Sequence, residues 1–332
     1  MVNENADTGR RPCLTDVPGI LVGHFTHSER PTGCTVILSE APMVAGVDVR
    51  GGAPGTRETD LLRPENTVPA VHGIFLSGGS AFGLDVGTGV MKFLEERGAG
   101  YPVGDVRIPV VCGAILFDLH FGDARIRPDA SAGYEAARNA SSNPVLEGNI
   151  GAGAGCRVGK MFGVERSVCG GLGSWAWRRS DGLCVAALVA VNAMGDVVDP
   201  ASNAIVAGAL KSDGDGFIDA MAQLRRGYRP QNIIMGGNTV IGVIATNATL
   251  DKAHCTVVAR MAQDALARCI QPAHTPMDGD TIFAVATSRH SIAADPVELA
   301  GIGAMAADVL STAIVRACRE RGRLVRNGHL AR

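Results

Sequence analysis

Apolar positions along the chain fall into two kinds of run. Short, nearly unbroken stretches at 20–22, 34–38, 44–49, 71–76, 108–119 and 184–191, and a run beginning at Thr239, read as strands buried on both faces. Other stretches repeat every three to four residues. Residues 81–97 carry Phe82, Val86, Val90, Met91 and Leu94 at helical spacing, and 253–270 place Val257, Val258, Met261, Leu266 and Ile270 on one helical face. Shorter and longer helices are expected at 130–140 and 296–319. Strands interleaved with helices predict an α/β protein. Residues 1–15 read as a loose arm, 200–235 as a solvated, mobile linker, and the residues after 319 as a basic, solvated tail. No internal repeat or domain boundary interrupts the pattern, so residues 1–332 are expected to form one domain.

Composition narrows the classes of function. Net charge is −2, charged residues make up 19% and aromatics 4%, against 43 glycines. A weakly acidic, aromatic-poor chain fits neither nucleic acid nor an anionic membrane surface as a partner. No apolar run is expected to reach the ~20 residues of a membrane span, and residues 1–12 lack a signal-peptide core, so a cytoplasmic location is expected. The nine cysteines are scattered with no CxxC pair and read as reduced core thiols; the eight histidines show no zinc spacing. No metal or organic cofactor is expected.

Three glycine-rich loops invite nucleotide readings and resist them. Residues 77–83 follow a strand and open a helix, but they match neither phosphate-loop nor dinucleotide spacing. In 151–160 the first glycine of a G-x-x-x-x-G-K loop would fall on Ala154, and Met161 replaces its Ser or Thr. Lys160 is then either a surface lysine or one projecting from a close-packed loop into a cleft. In 50–57, Arg50 and Arg57 could grip a carboxylate or pair with nearby acids.

The chemistry concentrates near residue 238. Gly236-Gly237-Asn238-Thr239 enters an apolar β-branched run. This is an ordinary turn before a core strand unless the Asn238–Thr239 bond is cut. A cut would free an α-amino group of pKa roughly 7.7–8.0 to accept the proton of the Thr239 hydroxyl. Asn192, after eight apolar residues, either starts a turn or aims a buried amide. Asp278-Gly-Asp280 is either a β-turn or a carboxylate pair sharing one side of an extended segment.

Taken together, 48–57, 76–83, Gly159-Lys160, Val191-Asn192, Gly237-Asn238-Thr239 and 274–281 resemble the N-terminal-nucleophile hydrolases that include nylon-oligomer hydrolase, L-aminopeptidase/D-esterase and β-peptidyl aminopeptidase. The resemblance runs from about residue 19 to 319. It implies a four-layer αββα sandwich, made as one chain that cleaves itself into 1–238 and 239–332, assembled as dimers or tetramers. It implies Thr239 as nucleophile, Asn192 as amide donor to the oxyanion, Lys160 beside the nucleophile, and Asp278 and Asp280 as the carboxylate pair that tilts the match toward the nylon-oligomer branch. Phe117 stands where that branch has a tyrosine lining the site; Phe117 and Tyr134 are the expected substrate-binding side chains. The implied activity is hydrolysis of small peptides or oligoamides, including 6-aminohexanoate oligomers. An aminopeptidase/D-esterase, or an acyltransferase with the same nucleophile, stands as the alternative.

Overall fold

The computed structural model describes residues 10–229, 237–292 and 295–320, and the backbone of 325–326 and 329–330. Gly236, residues 1–9 of the expected arm, 230–235 of the expected linker and most of the tail lie outside that range. Eight strands of five residues or more carry the fold: β1 (Ile20–Thr26), β2 (Gly33–Val49), β3 (Val71–Ser77), β4 (Val111–Ile115), β5 (Gly171–Arg178), β6 (Cys184–Asn192), β7 (Thr239–Ala248) and β8 (Thr281–His290). The helices are α1 (Val86–Glu95), α2 (Ala130–Arg138), α3 (Ala220–Arg225), α4 (Lys252–Ala262), α5 (Asp264–Cys269) and α6 (Pro296–Arg319).

The two strands expected at 34–38 and 44–49 are a single one, β2, and it belongs to two sheets. Its first half pairs antiparallel with β1 and β3, and β3 runs parallel to β4. After a register shift between Leu38 and Met43, its second half pairs with β8, which continues to β7, β6 and β5. Side chains alternate across each strand, so every central strand feeds two cores. Ile37, Ile74 and Leu76 from the first sheet meet Leu188, Ile241, Val243 and Phe283 from the second in a core between the sheets. The outer face of the first sheet, with Val36 and Phe75, is covered by Val90 and Phe93 of α1 and Ala136 of α2. The outer face of the second, with Val185, Val189, Ile244 and Ile282, is covered by Val258, Leu266, Leu310 and Ile314 of α4 to α6. The result is the αββα sandwich.

Several expectations change in detail. The helix expected over 81–97 is preceded by a 3-10 turn (Ser80–Asp85) that takes up its first residues before α1, and the one expected over 253–270 breaks at Gln263, whose side chain donates to the Asp48 carbonyl at 2.9 Å. Residues 200–229 are not an unstructured linker: Ala204–Ala207 pairs with Asp196–Asp199, Ala209–Leu210 with Phe217–Ile218, and α3 follows. Contrary to expectation, α6 is long and apolar enough to cross a membrane. It is a core helix here, half-buried, with Ile302, Leu310 and Ile314 against the sheet. All nine cysteines are buried.

Candidate active site

The site grows from one strand pairing. Asn192 ends β6, Thr239 begins β7, and the antiparallel register sets them opposite each other. Thr239 shares a face with Ile241 and Val243, so its side chain points between the sheets, where it is 2% exposed. Its Oγ1 donates to the carbonyl oxygen of Asn238. That oxygen also accepts the Gly279 backbone N–H at 3.0 Å, and Asn238 and Asp278 form a parallel bridge. Gly279 has to be a glycine: a Cβ there would lie 2.9 Å from Thr239 Oγ1 and 2.8 Å from the Ala53 carbonyl.

Lys160 opens a 3-10 turn (Lys160–Phe162) and is buried. Its Nζ donates to the Asn192 carbonyl (2.9 Å), to Asn192 Oδ1 (2.9 Å) and to the Gly237 carbonyl (2.7 Å), two residues before Thr239. The surface reading of this lysine therefore fails: its side chain is buried among the Asn192 and Gly237 oxygens. Burial, with Arg157 adding to it, pushes the ammonium down to about 7, while Asp278 pulls the other way. Asn192 Oδ1 also accepts the Arg157 backbone N–H, and its Nδ2 donates to the Phe117 carbonyl at 2.9 Å.

The Asp-Gly-Asp loop enters β8 from the other side. Asp278 Oδ2 accepts the Thr275 N–H at 2.7 Å; Asp280 Oδ1 accepts the Val240 N–H at 2.9 Å. Asp280 Oδ2 takes both the backbone N–H (3.1 Å) and Nδ1 (2.9 Å) of His274. Burial and the neighbouring Asp280 charge raise the Asp278 carboxyl above its ordinary range, against the pull of Thr275 and Lys160. Burial alone would lower the His274 ring, but contact with Asp280 outweighs it and the ring is raised. The loop at 50–57 packs backbone to backbone on this segment, with Ala53 N–H on the Asp278 carbonyl at 2.8 Å and Arg50 N–H on that of Asp280 at 3.0 Å. A Cβ at Gly51 would sit 2.2 Å from the Asp278 carbonyl. The arginines turn elsewhere: Arg50 pairs with Asp48, and Arg57 binds Thr88 and the Leu84 carbonyl.

Thr239, Asn238, Asn192, Lys160, Asp278 and Asp280 thus converge, and Phe117 joins them through its main chain. Its ring is half-buried against His120, 4.8 Å between centroids. Tyr134 does not join them. It lies on α2 in the outer helical layer, edge-on to Phe93, with its hydroxyl on Glu96 at 2.7 Å. Helical spacing could show that Tyr134 lies on a helix, but not on which side of the sandwich that helix packs. His274 and Gly279 lie within the 274–281 motif, which assigns them no role of their own; the fully buried Arg30–Asp118 pair (3.1 Å), which anchors the segment after Phe117, has no sequence signal at all.

The chain matches peptidase family S58 over residues 12–327. A protein of Mycobacterium tuberculosis described as an uncharacterized aminopeptidase is 41% identical over 91% of this chain and 92% of its own. A 6-aminohexanoate-oligomer endohydrolase of Kocuria sp. is 31% identical over 94% and 87%. Among solved structures, a Burkholderia sp. beta-aminopeptidase superposes with a TM-score of 0.69 over 96% of this chain and 90% of that one, at 22% identity. The Ochrobactrum anthropi L-aminopeptidase D-Ala-esterase/amidase, described as a variant of the N-terminal-nucleophile hydrolase fold, gives 0.69 over 95% and 88%, at 21%. With that fold and those relatives, the chain belongs to peptidase family S58 and is an amide-bond hydrolase.

Proposed function

We propose that this hydrolase matures by cutting its own Asn238–Thr239 bond and then uses Thr239 as an N-terminal nucleophile. The observation that carries this reading is the Asn238 carbonyl. Its oxygen accepts from the adjacent Thr239 hydroxyl on one side and the Gly279 N–H on the other. Attack of Oγ1 on the Asn238 carbon breaks the amide, gives an ester and frees the Thr239 amine; water then hydrolyses the ester. Gly279 N–H stabilises the oxyanion of this step, an interaction whose loss typically costs ~2.7–4 kcal/mol. In the mature enzyme the free amine takes the hydroxyl proton as Oγ1 attacks a substrate amide. Lys160, lying close to neutrality, places a tunable charge beside the nucleophile, and Asn192 orients it.

The substrates are small peptides and oligoamides, 6-aminohexanoate oligomers among them, and the two pieces remain one cytoplasmic unit assembled into dimers or tetramers. An aminopeptidase preference is the second reading, favoured by the 41% identity to proteins described as aminopeptidases. Blocked and free-amine peptides of equal length separate the two. Intact mass and amino-terminal sequencing test the cleavage: two pieces, the second beginning Thr-Val-Ile-Gly, are expected, and Thr239→Ala should remain one chain. A permanently single wild-type chain with undiminished activity would overturn the proposal.

A further inference from the structure

The two carboxylates of the Asp-Gly-Asp loop are held in different ways. Asp280 has both oxygens engaged by three donors: Val240 N–H on Oδ1, and the backbone N–H and ring Nδ1 of His274 on Oδ2. Among the described residues, Asp278 is held by Thr275 alone, through Oδ2. His274 clasps one oxygen twice by adopting a left-handed backbone, φ +54°, uncommon for a residue other than glycine. Its conformation therefore serves the contact with Asp280.

We infer that His274 is a positioning residue: through Asp280 it fixes the backbone at Val240, and so the Thr239 amine, and it leaves Asp278 as the carboxyl that exchanges protons near the nucleophile. The inference deepens the proposed Thr239 chemistry and rests on it. The clasp gives Asp280 three donors across its two oxygens, one of them a ring that is charged when protonated. Two carboxylates this close do not both ionise easily, so the proton settles on the partner with fewer donors. The raised Asp278 carboxyl and raised His274 ring agree with that division. The other charges facing the pair are Lys160, which favours ionised Asp278, and Arg50, which opposes a charged His274; the Gln263 carbonyl supports the charged ring.

The test has two arms. In the uncut Thr239→Ala chain, NMR titration of the His274 ring should show its pKa falling by a unit or more when Asp280→Asn is added; an unmoved titration overturns the clasp. In the Thr239 chain, His274→Ala should slow both the appearance of the Thr-Val-Ile-Gly terminus and substrate turnover about tenfold or more. His274→Asn keeps a donor near the Nδ1 position and tolerates the left-handed backbone, so it should recover most of the rate. Having lost the positive charge, it should shift the acid limb of the rate–pH profile to higher pH. Full activity in His274→Ala, or a His274→Asn variant with an unmoved acid limb, overturns the inference. Failure of the Thr239 reading is a different outcome, a wild-type chain with no new terminus, and the titration of the uncut chain judges the clasp independently of it.

Discussion

Two sets of charges are buried in this molecule, and they are satisfied to different degrees. Arg30 and Asp118 have side chains with no exposure at all, and every contact they make is a closed one. The guanidinium binds the carbonyls of Asp118, Phe121 and Ile126 as well as Asp118 Oδ1, and Asp118 accepts from Thr32 Oγ1 and the Gly79 N–H. Lys160 and Asp278 have no such mutual pairing. The lysine donates to three carbonyl-type oxygens and the carboxyl accepts none of the lysine's hydrogens, so both are pushed toward neutrality. A paired buried charge stays ionised and holds structure; an incompletely paired one is ready to exchange a proton near pH 7.

The largest expected effect comes from breaking the paired set. Asp118→Ala strands Arg30 in the interior and should destabilise the fold by ~3–5 kcal/mol, read as the urea midpoint at constant m-value, while whatever folds still cleaves itself. If the variant is as stable as wild type, the Arg30–Asp118 pair is not the anchor described.

Lys160→Met should act in the opposite way, with cleavage and turnover slowed ~10²-fold or more and a smaller change in stability. The pH dependence separates lysine chemistry from packing. Because the folded pKa of Lys160 is depressed to about 7, the cost of burying its charge is fully present below that pH. It is relieved as pH rises toward the unfolded value of roughly 10.4. Wild type should therefore gain stability on Lys160→Met between pH 7 and 10, and parallel stability curves would remove the depressed pKa.

How much of this could be read from sequence follows the same division. The sheet strands β6 and β7 are legible because strands covered on both faces are apolar throughout, and α6 because it is long, Ala-rich and apolar enough to cover a sheet. β5 is not, since its Gly171, Gly173 and Trp residues have no strand-like run; it is held by β6 and by the close approach of α6 to Gly173. The Thr239, Asn192 and Lys160 positions stood out as motifs, yet their meeting depends on a strand register that spacing does not encode. Arg30 and Asp118 lie 88 residues apart, and His274 matters only through a left-handed backbone; neither fact has a local signature.

Asp278→Asn tests the unpaired carboxyl by stability alone. A carboxyl whose folded pKa is raised contributes most below the unfolded value of roughly 3.9 and loses that contribution as pH rises through the folded pKa. The asparagine variant should thus be more stable than wild type at pH 7, on the order of 1–2 kcal/mol, with the gap closing near pH 4, and it should be slower to mature. A gap that persists unchanged at pH 4 would show that the effect is packing and not charge.

The smallest expected effect is at Phe117. The site uses this residue through its main-chain carbonyl, which takes the Asn192 Nδ2 hydrogen, and any side chain can supply that carbonyl. Phe117→Tyr adds a hydroxyl to a half-buried ring packed on His120, a change of about ±0.5 kcal/mol where nothing buried is disturbed. Cleavage at Asn238–Thr239 should proceed at the wild-type rate, because the carbonyl contact and the Lys160 network are untouched. Any change should appear in KM for oligoamides, within ~3-fold. A shift in KM above tenfold, with cleavage unaltered, would mean that the ring itself lines the substrate cleft, and that the line between backbone-anchored and substrate-facing groups runs through Phe117.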